Sequence, residues 1–265
     1  MRFSPVGKIL GALLLSLGLV MLLPALVALA FAEEEAWSLA AAAATTAAAG
    51  LLLLLAAARG ERREITPREA LFIVAAVWVS AGLFGALPYL FCGTLGSFTD
   101  CAFECISGFT TTGATVLAEI ESVPKGVHFW RSLTQWLGGM GIIVLSVAIL
   151  PLIGVGGMSL YRAEVPGHSL DKIKPRIAET ARTLWLIYAG LTCLQTLLLA
   201  AGGLDLHAAL CHSLATMATG GFSTRNLSIE SYASPYVEWV VTLFMLLAGV
   251  NFALHFAALR GGPRC

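Results

Sequence analysis

Residues 103–117 read FECISGFTTTGATVL and interrupt a chain that is otherwise rich in leucine and alanine. The stretch holds four threonines and two glycines, with one carboxylate near its start. Apolar runs long enough to cross a lipid bilayer lie on both sides of it. Hydroxyl groups and helix-breaking glycines at that depth need a reason, because irregular backbone inside a membrane must be buried in protein or face water.

Composition predicts an all-α integral membrane protein. The 265 residues have a mean hydropathy of +0.84 and only 12% are charged, which leaves more apolar surface than a soluble domain of this length can bury. Six uncharged runs each reach the roughly 20 residues that a membrane-spanning helix needs. They are 9–32, 36–58, 70–99, 132–161, 183–204 and 239–259.

The chain from residue 59 onward repeats a span, a short semi-polar segment and a second span. An offset of 107 superimposes AFECISGFTTTGAT on ALCHSLATMATGGF, so that Thr112 meets Thr219 and Gly113 meets Gly220. The semi-polar segments are 98–115 and 205–224. The part of the first that precedes its threonines, 98–109, would be about 18 Å long as a helix, too short for a hydrocarbon core of roughly 30 Å. Each segment is therefore predicted to enter the membrane and return to the same side.

This repetition predicts three parts of the chain. They are an N-terminal transmembrane helix hairpin at 1–58 and two membrane-pore-membrane repeats, with re-entrant half-helices and filter loops, at 59–160 and 161–265. If the N-terminus is cytoplasmic and the semi-polar segments face outward, 13 of the 16 Lys and Arg residues lie inside and 10 of the 16 acidic residues lie outside. That distribution follows the positive-inside rule, and a negative outer face would concentrate cations.

The loops that follow the semi-polar segments, TTTG at 110–113 and ATGG at 218–221, have the composition of a cation site. Glycine can turn backbone carbonyls to one side, threonine adds hydroxyl oxygens, and each preceding half-helix points its negative C-terminal end at the loop. A dehydrated cation needs such a cage of oxygens. The alternative is that these small residues only permit close helix packing; the repeat and the charge asymmetry favour the cation site.

The motifs around the loops resemble one family. SGFTTTGATV (107–116), RSLTQWLGGMGIIVLSVAILPLIG (131–154), HSLATMATGGFSTRN (212–226) and NFALHFAALRG (251–261) are similar to the TrkH/KtrB-type potassium transporters of the Trk/Ktr/HKT superfamily, above all to the TrkH branch. The resemblance covers essentially the whole chain. It implies potassium uptake in the bacterial cytoplasmic membrane, no enzymatic activity, no cofactor besides the transported K⁺, and four repeats around one axis.

The resemblance also implies which residues bind the ion. The first quarter of a selectivity filter would consist of Thr111, Thr112 and Gly113. The second would consist of Ala218, Thr219, Gly220 and Gly221. Potassium is expected at Thr112, Gly113, Thr219 and Gly220.

Polar residues near the loops have structural and functional interpretations. Glu104 is expected either to suit the dipole of the first half-helix or to stand in a vestibule that attracts cations. Asp100 and Asp205 are expected to cap the two half-helices. Arg131 and Gln135 are expected to be structural. The glycines of WLGGMG, directly after Gln135, are expected to allow close helix crossing.

The chain contains two of the four repeats that the resemblance implies, and two quarters do not encircle an ion. Either a longer protein supplies repeats three and four, which the ending at 260–265 favours, or a homodimer supplies four quarters. The basic linkers 59–69 and 161–178 are candidate docking surfaces for the cytosolic nucleotide-binding regulatory ring that the family recruits. Membrane lipid is a further partner, and nucleic acid is not expected.

Two other functions remain open. One is a non-conducting truncated fragment or a membrane interaction subunit. The other is an intramembrane serine hydrolase that uses Ser213 or Ser107 with His212 or His128. It is disfavoured because His212 and Ser213 are neighbours in sequence and point to different faces of a helix, and because no Gly-x-Ser-x-Gly motif accompanies them.

Overall fold

The computed structural model describes residues 3–58, 67–149, 173–250 and 254–255. Within these ranges the regular secondary structure is helical throughout, so the predicted all-α class is confirmed. Among the residues that the structure describes, four helices are long and apolar enough to cross a membrane: Val6–Ala30, Ala36–Ala57, Leu71–Phe91 and Arg182–Ala201.

Three helices form the N-terminal part: α1 (Phe3–Val20), α2 (Leu22–Ala30) and α3 (Ala36–Ala57). The predicted span 9–32 is therefore divided after Val20. Pro24 accounts for the division, because its ring would clash with the Val20 carbonyl in a continuous helix. Helices α1 and α3 pack backbone to backbone, and a Cβ on Gly50 would lie 2.8 Å from the Gly11 carbonyl oxygen.

Four described helices lie in the predicted first repeat: α4 (Pro67–Gly85), α5 (Leu87–Phe91), α6 (Phe98–Phe109) and α7 (Lys125–Ile149). The second repeat contains α8 (Ile173–Ala201), α9 (Leu206–Met217), a 3-10 helix (Ser228–Tyr232) and α10 (Pro235–Gly249). Helices α6 and α9 have 12 residues each, and α6 has the bounds predicted for the helical part of the first semi-polar segment. Residues 59–66 and 150–172, which hold the predicted domain boundaries and most of both linkers, lie outside the described residues, so the division into three parts stays a prediction.

Two hydrophobic cores meet at α7. The first includes Tyr89, Phe109 and Trp130 among helices α1 to α7, and the second includes Tyr188 and Phe244 of the second repeat. The indole of Trp136 on α7 packs against both cores. Its ring stacks on Tyr188 with the centroids 5.3 Å apart. Helix α7 therefore fixes the second repeat relative to the first.

The N-terminal hairpin is attached to the start of α7 through Glu33. Backbone N–H groups at the start of a helix lack partners within the helix. Glu33, in the turn between α2 and α3, accepts hydrogen bonds from the N–H groups of Lys125 at 2.7 Å and Gly126 at 3.0 Å. The Lys125 ammonium also lies 3.8 Å from the ring centroid of Phe31. A carboxylate from the hairpin thus caps a helix of the first repeat.

We expect Glu33→Ala to lower the free energy of unfolding by about 1 kcal/mol, because two N–H groups lose their acceptor. The control is Glu34→Ala, which removes an adjacent exposed carboxylate that bonds no described residue of α7. Melting temperatures of the purified proteins in detergent measure both effects. Equal melting temperatures of the two variants would contradict the capping role of Glu33.

Candidate ion-binding site

The two half-helices end in the same backbone turn. After α6, the N–H groups of Thr111 and Thr112 donate to carbonyls three and five residues earlier; after α9, those of Thr219 and Gly220 do the same, and all four bonds measure 2.9 Å. Thr111 and Thr219 take the left-handed position of this helix-ending turn, with φ of 53° and 56°. Glycine is the usual residue there, and a β-branched residue in this conformation is strained. Strain of this kind is typical of functional sites.

The structure corrects the register of the internal repeat by one residue. Helices α6 and α9 are equal in length and begin 108 positions apart. Gly113, with φ of 76°, therefore corresponds to Gly221, with φ of 83°, and Thr112 corresponds to Gly220. The predicted offset of 107, which paired Gly113 with Gly220, is wrong. It followed the shared Thr-Gly letters, whereas the distance from the end of each half-helix sets the backbone conformation.

The two loops touch each other at glycines. A Cβ on Gly113 would collide with the carbonyl oxygen of Gly220, so this oxygen lies against the Cα atom of Gly113. The positive φ of Gly113 adds a second reason for glycine at this position. The structure therefore brings together two of the four residues at which potassium is expected. The side chains of the other two, Thr112 and Thr219, are exposed at the surface of the loops.

Helix α7 lies between the loops and presents one face to both. The residues of this face fall at the i, i+3, i+4, i+7 and i+8 spacing of a single helical stripe; they are Arg131, Thr134, Gln135, Gly138 and Gly139. A Cβ on Gly138 would collide with the carbonyl of Phe109, the last residue of α6. A Cβ on Gly139 would lie 3.0 Å from the Cα atom of Ala218, the first residue after α9. The predicted close crossing at WLGGMG is confirmed, and each glycine admits the end of one half-helix.

A buried ion pair joins α6, α7 and both loops. Arg131 is 1% exposed and Glu104 is 0% exposed, and the Nη2 and Oε1 atoms are 2.8 Å apart. Directly after the first loop, the Thr115 hydroxyl donates to Glu104 at 2.9 Å, and the Val116 N–H donates to Glu104 at 3.0 Å. Arg131 Nη1 donates to the Ser223 carbonyl of the second loop at 3.1 Å. The pair thus holds residues from both repeats in one hydrogen-bonded network.

These contacts correct the expectations for Glu104. A vestibule carboxylate must face water, but this side chain is fully buried and both of its oxygens accept hydrogen bonds. The alternative interaction with the dipole of α6 is also not favoured, because Glu104 lies in the middle of that helix and the dipole acts within the first turn. Glu104 instead holds the first loop in place.

Asp100 and Asp205 were predicted to cap the half-helices α6 and α9, and one of these two predictions is confirmed. Asp205 caps α9 as predicted, since its Oδ1 accepts from the Ala208 N–H at 3.0 Å. The prediction for Asp100 is wrong, because Ser97 is the cap of α6 and accepts from the Asp100 N–H at 3.1 Å. Ser97 and Asp205 are 108 positions apart, which repeats the corrected register.

Gln135 lies directly behind the second loop. Its side chain is 0% exposed, and its Oε1 accepts from the Phe222 N–H at 3.1 Å. A Cβ on Gly220 would lie 2.6 Å from both Oε1 and Nε2, so the carboxamide covers the Cα atom of that glycine. These contacts confirm the predicted structural role of Gln135, as the ion pair does for Arg131.

The outer ends of the loops are joined by Asn226, which the sequence did not single out. Asn226 accepts from the Ile120 N–H through Oδ1 at 3.0 Å and donates its own N–H to Glu121 at 2.8 Å. The latter hydrogen bond lowers the pKa of the exposed Glu121 carboxyl below its usual value. The partners are more than 100 positions apart in the sequence, so no local pattern indicates this contact.

The hydrolase alternative finds no support in the part of the chain that the structure describes. The Ser213 hydroxyl donates to the Ala209 carbonyl at 2.7 Å, and the Ser107 hydroxyl donates to a loop carbonyl at 2.6 Å. His212 Nε2 lies 3.1 Å from the Tyr232 hydroxyl. Neither serine hydroxyl is therefore bonded to a histidine, and no cluster of His, Cys, Asp or Glu is placed to hold a metal ion within the described ranges.

Comparisons with known proteins show which family this chain resembles. The family model described as TrkH, cation transport protein, matches residues 38–261. The Trk system potassium uptake protein TrkH of Escherichia coli (strain K12) is 44% identical over 263 residues, which cover 98% of this chain and 54% of that protein. The protein of the same name from Halomonas elongata is 45% identical over 262 residues, with coverages of 98% and 54%.

The fold agrees with a solved structure. The crystal structure of the potassium transporter TrkH from Vibrio parahaemolyticus superposes with a TM-score of 0.87 at 37% identity. The superposition covers 99% of this chain and 53% of that one. The chain therefore spans about half the length of the curated relatives it matches.

Proposed function

Because this chain belongs to the TrkH family of cation transport proteins, we propose that it forms part of a path for potassium uptake across the bacterial cytoplasmic membrane. It is a multi-pass membrane protein, and its relatives are named potassium uptake proteins of the Trk system. The observation that carries the proposal is the contact between two equivalent Thr/Gly loops, each at the C-terminal end of a half-helix. The hydrolase and inert-fragment alternatives are not favoured by these relatives, which are transporters.

In this proposal the ion binds to oxygens of both loops. The first loop contributes the backbone and hydroxyl oxygens of Thr111 and Thr112 and the carbonyl of Gly113. The second loop contributes oxygens of its four predicted residues: Ala218, Thr219, Gly220 and Gly221. The negative ends of α6 and α9 add to the attraction for a cation. The proposal involves no cofactor besides the transported potassium ion.

Two loops surround an ion on two sides only, so other loops complete the cage. They come from the part of the relatives that this chain does not span, or from a second copy of the chain in a homodimer.

The proposal also includes the topology and the partners of the chain. Each half-helix enters the membrane from the outer side, and the loop after it returns the chain to that side. The N-terminus is cytoplasmic. A cytosolic nucleotide-binding ring binds the linkers 59–69 and 161–178, which lie largely outside the described residues. Lipid surrounds the outer helices.

Rubidium uptake by the intact protein, in a bacterium that lacks potassium uptake, tests the proposal. The unaltered protein is expected to restore uptake, and Gly113→Ser to abolish it, because a side chain there is strained at φ 76° and collides with the Gly220 carbonyl. The matched control is Gly93→Ser, which has similar strain at φ 64° but no atom within 4 Å of its Cβ position; it should retain uptake. Membrane levels are compared for all three proteins.

The possible failures of this test are distinct. Absence of uptake by the unaltered protein would overturn the proposed function. Uptake that survives Gly113→Ser at an equal membrane level would overturn the assignment of the ion to these loops. Loss of uptake in both Gly113→Ser and Gly93→Ser would mean that backbone strain in general abolishes uptake. The Gly113→Ser result would then no longer support an ion site at these loops.

A further inference from the structure

We propose that Gln135 is the positioning residue that sets the geometry of the second loop and thereby the preference for potassium over sodium. The inference rests on the proposed function, because it concerns the ion that the same loops bind. Gln135 does not touch the ion in this scheme. It acts through Gly220 and Phe222, the two residues that flank Gly221.

The contacts of Gln135 hold the second loop at two points. On one side of Gly221, the Gln135 Oε1 accepts from the Phe222 N–H at 3.1 Å. On the other side, the carboxamide lies against the Cα atom of Gly220. Gly221 itself has a φ of 83° and no atom within 4 Å of its Cβ position, so nothing packs where a side chain would be. The helix-end hydrogen bond of the Gly220 N–H and the two contacts of Gln135 together position this glycine.

The same side chain also reaches toward the first loop. The bond from the Phe222 N–H fixes which end of the carboxamide is the oxygen, so Nε2 is the end that remains for other contacts. Nε2 lies 4.0 Å from the Cβ position of Gly113, the glycine that touches the Gly220 carbonyl. Gln135 thus lies where the two loops meet.

The carboxamide of Gln135 bonds the second loop through its oxygen. Nε2 is buried and has no hydrogen-bond partner among the residues that the structure describes. Among the described residues, the hydrogen bond of this carboxamide is the one that Oε1 accepts from the Phe222 N–H.

A small shift of the second loop should change ion selection. The choice between potassium and sodium depends on the number and orientation of carbonyl oxygens around the ion. The Gly220 carbonyl is one of these oxygens in the proposed site and lies in contact with Gly113. Moving Gly220 or Phe222 would therefore alter the cage directly. Shortening Gln135 by one methylene group would withdraw Oε1 from the Phe222 N–H.

The experiment compares Gln135→Asn with Gln195→Asn in the intact protein, reconstituted into liposomes. Gln195 is a matched control because it is also 0% exposed, and neither of its polar side-chain atoms bonds a described residue of either loop. The measurement is the ratio of potassium to sodium flux under equal gradients. We expect the ratio to fall about fivefold to tenfold in Gln135→Asn, as for one lost hydrogen bond, and to remain unchanged in Gln195→Asn.

A second variant covers the case in which Gln135→Asn does not accumulate. Gln135→Met keeps nearly the same length and removes the hydrogen bond, so it should show the same fall in the flux ratio. An unchanged ratio in the Gln135 variants, or an equal fall in Gln195→Asn, would overturn this inference and leave the proposed function intact. A flux of the unaltered protein without any preference for potassium would instead overturn the proposed function.

Discussion

Arg131→Met is expected to lower the free energy of unfolding by about 3–5 kcal/mol, because it leaves the Glu104 carboxylate buried without a counter-charge. Both side chains are almost completely inaccessible to water, so the carboxylate cannot recover hydration. Arg131 also bonds the Ser223 carbonyl, and its loss would release the second loop as well as the first. The expected result is a protein that melts at a much lower temperature and transports little.

The double variant Glu104→Gln/Arg131→Met separates the ion pair from simple packing. With no charge left in the site, most of the lost stability should return, because a buried pair replaced by neutral groups of similar size is often close to neutral. Arg225→Met is the matched control, since Arg225 is exposed and forms no ion pair with a described residue. The melting temperatures of the unaltered protein, Arg131→Met, the double variant and Arg225→Met are measured in detergent. A double variant as unstable as Arg131→Met alone would contradict the ion-pair explanation.

Gly138→Ala and Gly141→Ala are expected to have opposite effects although they lie one turn apart on α7. A methyl group on Gly138 collides with the Phe109 carbonyl at the end of α6, and forcing an atom into such a site costs about 1–3 kcal/mol or more. The nearest atom to a Cβ on Gly141 is a Trp78 ring carbon at 3.8 Å, an ordinary contact. Alanine there should therefore stabilise the helix by up to about 1 kcal/mol.

The functional readout of the glycine pair is rubidium uptake at equal membrane levels. Displacing the end of α6 moves Thr111, so Gly138→Ala should lose most uptake, whereas Gly141→Ala should retain it. Similar uptake by the two variants, with similar melting temperatures, would show that α7 and α6 do not need their observed close approach.

The sequence predicted those features that depend on local composition. The half-length of α6 and its bounds follow from the semi-polar segment that starts at Phe98 and reaches the threonines at 110–112. The close approach at Gly138 follows from a pair of glycines in an apolar helix. The divided first span was not predicted, although Pro24 lies in the interior of that run, because the prediction counted uncharged length and did not consider that an interior proline breaks a helix.

Contacts between distant residues could not be predicted in the same way. Glu104 and Arg131 are 27 positions apart, and nothing in either segment indicates that they form a pair. The register error has a similar origin, because letter matching placed Gly113 on Gly220 whereas the helix ends place it on Gly221. Gln135 looked structural from the sequence, and only the folded chain shows which two residues it contacts.

The repeated turn after α6 and α9 has one further consequence. Since hydrogen bonds at the helix ends set the course of the main chain, equivalent positions can carry different side chains, and Thr112 corresponds to Gly220, which has none. In the proposed site, the first loop would offer a hydroxyl oxygen where the second offers only peptide oxygens, so the two loops would not be interchangeable as ligands.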